Sequence, residues 1–175
     1  FNHRPNSLNA GSLWGRPFYI LREAWNILNA IAEGKIESGD EKKLNALKGE
    51  TMAVIALCQF DLTRCFGYPY TKDKGASLGA PLIDHLVGTY ENPPRSTVAQ
   101  AYDFIIETLE EAVTLMSEEK NNGRMNKYAA RALLARIYLY HDDNRKAFDL
   151  ADQLIKDADT SGSYALYPHE KYVAA

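Results

Sequence analysis

Four histidines, two cysteines and a few clustered carboxylates are the residues here that could carry chemistry, and their spacing joins none of them into a catalytic set. His3, His85, His141 and His169 are scattered, with no HExxH pair to hold zinc and no glycine-rich phosphate loop nearby. Each reads as an ordinary surface or core residue. Glu107, Glu110 and Glu111 could mimic the two carboxylates of a glycosidase. They fall opposite the apolar stripe of the helix predicted to carry them, so they read as a solvated face. Asp142 and Asp143 read as caps at a tight turn rather than calcium ligands, because further oxygen ligands are not near in sequence. Cys58 and Cys65 lie seven apart in one predicted helix. That is a rise of about 10 Å, too far for a disulfide, and both read as small buried thiols. No enzyme activity, metal or cofactor is expected.

A different chemistry comes from flat aromatic faces set beside hydrogen-bonding side chains, the combination that grips sugars. Two stretches have it. The amino-terminal run through Asn2, His3, Arg4 and Asn6 to Trp14 is polar, aromatic and non-helical in pattern. The stretch from Gly67 to Arg95 offers Tyr68, Tyr70, Lys72, Asp73, His85 and Tyr90. The candidate ligand residues are therefore Asn2, His3, Arg4, Asn6, Trp14 and Tyr70. Against that role, the amino-terminal run reads equally as a surface arm, and Trp14 as a packing anchor. The aromatics of the long stretch read as pins that hold it to the helices or serve a partner.

The elements that must position these residues are helices. Hydrophobic residues make up 46% and charged residues 25%, which is the composition of a globular domain with a core of its own. A net charge of −3 offers nothing to a nucleic acid, and no apolar run approaches the roughly 20 residues of a membrane-spanning helix. Five stretches have helical periodicity and no strand pattern competes with them. The first runs from about Arg16 to Glu33 on Phe18, Leu21, Trp25, Leu28 and Ala32. The second opens at Ser38-Gly-Asp-Glu41, a capping-box spacing, and ends at Phe66 before Gly67 and Pro69. The third opens at Thr97-Val-Ala-Gln100, with the stripe Val98, Tyr102, Ile105, Leu109, Ala112 and Met116. The fourth follows Asn126 and is apolar nearly all round, which predicts neighbours on both sides. The fifth, from Arg145 to Lys156, is expected to bury Ala147, Phe148, Ala151, Leu154 and Ile155. Between the second and third helices, residues 67–95 hold four prolines and four glycines, a long loop of the kind that is functional or packed by its own side chains.

Ala135, Tyr138, Ala147 and Ala151 have the small-residue and tyrosine spacing of a tetratricopeptide helix pair, in which small side chains let two antiparallel helices close up. One such pair cannot bury both its faces, so the earlier helices must stack on it as a short all-α solenoid. The spacing is silent about ligand.

Three segments resemble a known family. Phe60-Asp-Leu-Thr-Arg-Cys-Phe-Gly67 is similar to its phrase "DLxRxFG". Pro94-Arg-Ser-Thr-Val98, with Tyr102-Asp-Phe-Ile-Ile106 and Leu109-Glu-Glu-Ala112, resembles "PRSTVxxxYDxIxxDLExA". Gly123-Arg-Met-Asn-Lys127 through Ala132-Leu-Leu-Ala-Arg-Ile-Tyr-Leu-Tyr140 resembles "GRxxKxAAxALLARVYLY". Together they resemble the SusD/RagB family of nutrient-binding outer-membrane lipoproteins. The resemblance implies a surface glycan-binding protein of Bacteroidetes-type bacteria that binds an oligosaccharide, or a peptide, and closes a SusC-like TonB-dependent transporter. It implies ligand contacts before the first repeat helix, no nucleic-acid partner, and membrane attachment only through a lipid anchor outside this chain. The family's members are longer, so the expected organisation is an irregular arm at 1–15, a tetratricopeptide-like helical domain at 16–160 with its loop at 67–95, and the start of a truncated following region at 161–175. An exposed apolar face, and self-association through it, are expected on that reading. Tyr164, Leu166, Tyr167 and Tyr172 have no evident partner element. The rival reading is a generic tetratricopeptide adaptor, which would line its concave groove with Lys, Arg and Asn to hold a peptide.

Overall fold

The apolar periodicities resolve, in a computed structural model, into five helices that stack in chain order. The structure describes residues 8–121, 123–165 and 168, with only the backbone at 8–10. The helices are α1 (Leu8–Ala32), α2 (Glu41–Phe66), α3 (Val98–Leu115), α4 (Lys127–Tyr140) and α5 (Asn144–Ser161). Each lies chiefly against the next: α1 on α2, α2 on α3, α3 on α4, α4 on α5. This is the all-α array that the repeat spacing calls for.

The core has two parts. One joins α2, α3 and α4 around Phe60, Ile105, Leu109 and Ile137; the other joins α1 and α2 to the long loop around Leu21, Ile55, Leu62 and Ile83. The whole predicted stripe of α3, from Val98 to Met116, is buried. Helices α2 and α3 run antiparallel, since Phe60 meets Tyr102 near the start of α3 and Gly49 lies under Ala112 near its end. Gly49 is what allows this approach: a Cβ there would stand 2.8 Å from the Ala112 carbonyl oxygen and 2.8 Å from Met116 Cγ.

The helix ends follow their local chemistry. Thr97 and Gln100 form the reciprocal capping box of α3, Asn126 caps α4 through the Ala129 amide, and Asp143 caps α5 through the Lys146 amide. The first helix begins at Leu8, well before Arg16, so residues 8–15 are helical rather than an irregular arm. Gly11, Gly15 and Pro17 read as breakers, yet the Trp14 ring packs edge-on against Phe66 of α2 at 4.7 Å and holds the turn before Pro17 in place. The cap of α2 is Asp40, not Ser38; the Asp40 carboxylate accepts from the Lys42 and Lys43 amides, and the Ser38 hydroxyl accepts from the Asp40 amide.

The four-residue spacing and short turn of the α4–α5 pair do their work. Ala135, Tyr138 and Ala147 are buried and Ala151 is half-buried at the contact. The Tyr138 hydroxyl reaches past the pair and donates to the Glu110 carboxylate on α3. Burial and the Glu110 charge push that phenol's pKa up. Phe148 and Ile155 are not buried: they are 65% and 61% exposed. The reason is positional, because α5 is the last helix of the described array and one neighbour cannot cover so wide an apolar stripe. Helix α4 is likewise covered by α3 and α5 but leaves Leu139 and Tyr140 exposed. Cys58 is buried, as expected, and burial pushes its thiol up to about 11; Cys65 is exposed instead, one residue from the end of α2.

Residues 67–97 contain order that periodicity does not show. A 3₁₀ turn at Tyr70–Lys72 precedes two short antiparallel strands, β1 (Leu78–Pro81) and β2 (Arg95–Thr97), with Leu78 opposite Thr97 and Pro81 opposite Arg95. These strands correct the expectation that no strand would form. Leu-Gly-Ala-Pro has neither alternation nor β-branched residues, so the pairing comes from side chains that staple it. The Arg95 guanidinium donates to the carbonyls of Gly79 and Leu78, and the Ser96 hydroxyl to that of Ala80. Helix α2 grips the same segment through Gln59, a fully buried amide that donates to the Pro81 carbonyl at 3.1 Å and accepts from the Ile83 amide. From α1, Trp25 Nε1 donates to the Ile83 carbonyl at 3.2 Å.

Candidate ligand-binding surface

Of the six candidate ligand residues, Trp14 and Tyr70 fall among the described residues; Asn2, His3, Arg4 and Asn6 lie outside them. Trp14 and Tyr70 make separate contacts at the end of the array where α2 gives way to the long loop. Trp14 is 40% exposed, with its ring 5.0 Å from Phe18 and 4.7 Å from Phe66 in edge-to-face contact. Its packing role is therefore present, and part of one aromatic surface is still available to solvent. Tyr70 is half-buried and lies 4.2 Å from His141 and 5.7 Å from Tyr102. It pins the 3₁₀ turn to the ends of α3 and α4, the role weighed against ligand contact from the sequence.

Behind Tyr70 the rings continue. Tyr102 meets Phe60 at 6.2 Å, and Phe60 meets Tyr140 at 5.4 Å. Tyr140 is partly exposed at the last turn of α4, and the guanidiniums of Arg64 and Arg136 stand 5.7 and 6.0 Å from its ring centre. Arg64, first, and Arg136 hold the Tyr140 phenol below its usual pKa. Arg64 is paired with Asp61 at 2.9 Å. Sequence reading passed over Arg64, Arg136 and Tyr140, although exposed arginines beside an aromatic near a helix end were the available signal. Tyr68 lies nearby in sequence, exposed, with Lys72 Nζ 3.0 Å from its ring centre. The chemistry on offer is flat rings and forked N–H donors.

A polar cleft of about 590 Å³ lies at the opposite end, between the starts of α2 and α4 and the end of α3. Several of its polar groups are engaged: Asp40 and Asn126 cap helices, and Glu50 takes Arg124 and the Met125 amide. Two of the carboxylates of α3 are engaged, Glu110 by Tyr138 and Glu111 by Lys48 at 3.1 Å. Among the described residues no cluster of His, Cys, Asp and Glu could hold a metal ion, and no helix is long and apolar enough to cross a membrane.

His85 is clamped between the carboxylates of Asp84, 2.6 Å away, and Glu91, 2.7 Å away, and the second Glu91 oxygen accepts from the Gly88 amide. Asp84, then Glu91, raise the imidazole above its ordinary 6.5. The Gly88 amide, then His85, hold Glu91 below its ordinary value. The sign follows from these directions. The contribution of His85 is fully present below its unfolded pKa and fades as pH rises through the raised folded pKa. That of Glu91 is present above its unfolded pKa and fades as pH falls through the lowered one. An NMR titration is expected to place His85 above 6.5 and to show it dropping when Glu91 is changed to Gln. An unperturbed His85 in the wild type would contradict the clamp.

A family profile described as "Starch-binding associating with outer membrane" matches residues 3–139. A SusD superfamily protein from Bacteroides thetaiotaomicron is 40% identical, with a TM-score of 0.86 over 91% of this chain and 34% of its own. A sugar-binding protein from Bacteroides vulgatus, so described by its solvers as putative, is 39% identical, with a TM-score of 0.86 over 93% of this chain and 36% of its own. A SusD-like protein of Bacteroides ovatus is 25% identical over 133 residues, 75% of this chain and 22% of that protein. The chain thus spans about a third of the solved structures it matches and less of the curated relative.

Proposed function

The chain belongs to the SusD-like family, and we propose that it is the helical scaffold half of a surface glycan-binding protein that docks on a SusC-like TonB-dependent transporter at the outer membrane. The observation that carries this reading is the match of 91% of this chain to a SusD superfamily structure at 40% identity. The chemistry of the loop end agrees with it, because rings and guanidiniums without a nucleophile–base pair bind and do not cleave. The proposed ligand contacts are Asn2, His3, Arg4, Asn6, Trp14 and Tyr70. The ligand is an oligosaccharide, with a peptide as the alternative. The adaptor reading is weaker on one observation: the groove over Tyr138 has its charges internally paired, Arg131 with Asp157 and Lys146 with Asp143.

Calorimetric titration with maltooligosaccharides, laminarioligosaccharides and a mixed peptide digest tests the proposal. Glycan binding is expected of the full-length protein and only weakly, if at all, of this chain alone; in the full-length protein it should be weakened about tenfold or more by Arg4→Ala or Trp14→Ala, which is about 1.4 kcal/mol, with thermal melts to separate folding from binding. No reducing ends should appear on prolonged incubation. Binding of peptides with no response to any glycan, or turnover lost on changing Glu107 or Glu110, would overturn it. Copurification of a TonB-dependent transporter with the tagged protein from its native membrane is the expected partner result.

A further inference from the structure

Charged and aromatic side chains across the array find neighbours. Arg131 takes Asp157 at 2.6 Å. Tyr164, contrary to its sequence setting, has a partner element: its hydroxyl accepts from Asn126 Nδ2 at 3.1 Å and its ring lies 5.7 Å from that of Tyr128. Arg136 differs, for among the described residues it meets no carboxylate and has only the Phe60 and Tyr140 rings and the Tyr140 hydroxyl beside it. Its place follows from helical spacing. Phe60 and Arg64 share one face of α2, and Arg136 and Tyr140 share one face of α4, each pair being four residues apart. The two faces meet where the Phe60 and Tyr140 rings stand 5.4 Å apart. Arg64 is thereby brought 5.7 Å and Arg136 6.0 Å from the Tyr140 ring centre. Both guanidiniums act on the Tyr140 hydroxyl, so they converge on one small region at the surface, where Tyr140 is 41% exposed. Asp61 offsets Arg64 at 2.9 Å, and nothing comparable offsets Arg136.

We propose that the Arg64–Tyr140–Arg136 group is an acidic-sugar subsite, in which the two guanidiniums take the carboxylate of a uronic acid residue and the exposed Tyr140 ring takes a face of its pyranose. The proposal rests on the glycan-binding reading above and narrows it to acidic glycans. Charge sets the ligand's sign: two guanidiniums against one carboxylate leave one positive charge in excess, which a single carboxylate neutralises. Geometry sets its shape, because a guanidinium is a planar fork that matches a carboxylate with two parallel N–H donors. The ring beside it is a flat apolar surface of the kind that stacks on a sugar. A uronic acid residue carries both complements within one six-membered ring. The stems of the two arginines lie on different helices and share the Phe60 ring, at 5.5 and 5.9 Å from the guanidiniums. Their convergence is therefore held by the core before any ligand arrives, which lowers the ordering cost of binding.

Calorimetric titration of the full-length protein with oligosaccharides of galacturonate, of mannuronate and guluronate, and of hyaluronan, each beside its carboxyl-reduced counterpart, tests this. At least one acidic form is expected to bind about tenfold or more tightly than its reduced counterpart, the worth of one charged hydrogen-bonded contact. The difference should shrink as salt is raised. Arg136→Gln and Arg64→Gln are each expected to bring the two forms level. Arg136→Lys keeps the charge but loses the fork, and should retain an intermediate preference. Thermal melts check the fold of each variant, and the two arginines sit on separate helices, so loss of one variant leaves the other to decide. Equal affinity for acidic and reduced forms, or affinity for neutral oligosaccharides alone, overturns the acidic subsite and leaves glycan binding standing. A preference that survives both Gln variants puts the carboxylate elsewhere and overturns it too. Binding of poly-glutamate peptides with no response to any glycan overturns both readings.

Discussion

Changing Phe60 to alanine is expected to destabilise the protein by about 3–5 kcal/mol, lowering the melting temperature by about 6–20 °C for a chain of this size. Phe60 is fully buried and meets Tyr102 of α3 and Tyr140 of α4 in edge-to-face contact. The guanidiniums of Arg64 and Arg136 stand 5.5 and 5.9 Å from the same ring. Removing it opens a cavity where three helices meet, and removes the ring quadrupole that helps two like charges to share one neighbourhood. The control is Phe148→Ala on α5, the same chemistry at an exposed position, which should stay within about 0.5 kcal/mol. Denaturant melts that show equal losses for the two variants would mean that the core has been misplaced.

Changing Gly49 to valine is the second large effect, expected at about 1–3 kcal/mol from overpacking. The nearest obstacle is a backbone oxygen, that of Ala112, and the wall beside it is the Leu115 side chain at 3.0 Å. A carbonyl held in the α3 ladder cannot swing aside as a surface side chain would. Valine has a better helix propensity than glycine by some tenths of a kcal/mol, so the steric clash must outweigh a small propensity gain. Gly39→Ala, with nothing within 4 Å of its added Cβ, should be neutral. If Gly49→Val melts like the wild type, α2 and α3 do not approach as closely as the geometry requires.

Much of the architecture was legible because its signals are local. The α3 stripe, the Thr97–Gln100 capping box, the Asn126 and Asp143 caps and the small residues between α4 and α5 all depend on spacings within one or two turns. The candidate surface was less legible. Tyr70 was found from its residue type, but His141, the ring it rests on, lies far along the chain. The Arg64–Tyr140–Arg136 group joins α2 to α4, and nothing local marks it.

The sequence by itself determined that this is an all-α array, where most of its helices cap, and which face of α3 turns inward, because a 3.6-residue period and a capping side chain are settled within a few residues of themselves. Only the tertiary structure decided that α1 continues back through Gly15 to Leu8, that residues 78–81 and 95–97 pair as strands, and that Phe148 and Ile155 stay exposed while Phe60 does not. Each of these turns on a partner distant in sequence: Phe66 for Trp14, Gln59 and Arg95 for the loop, and, among the described residues, α4 as the main helix against α5. Periodicity specifies that a side chain seeks burial, but whether a neighbour is there to bury it depends on the order in which the helices stack.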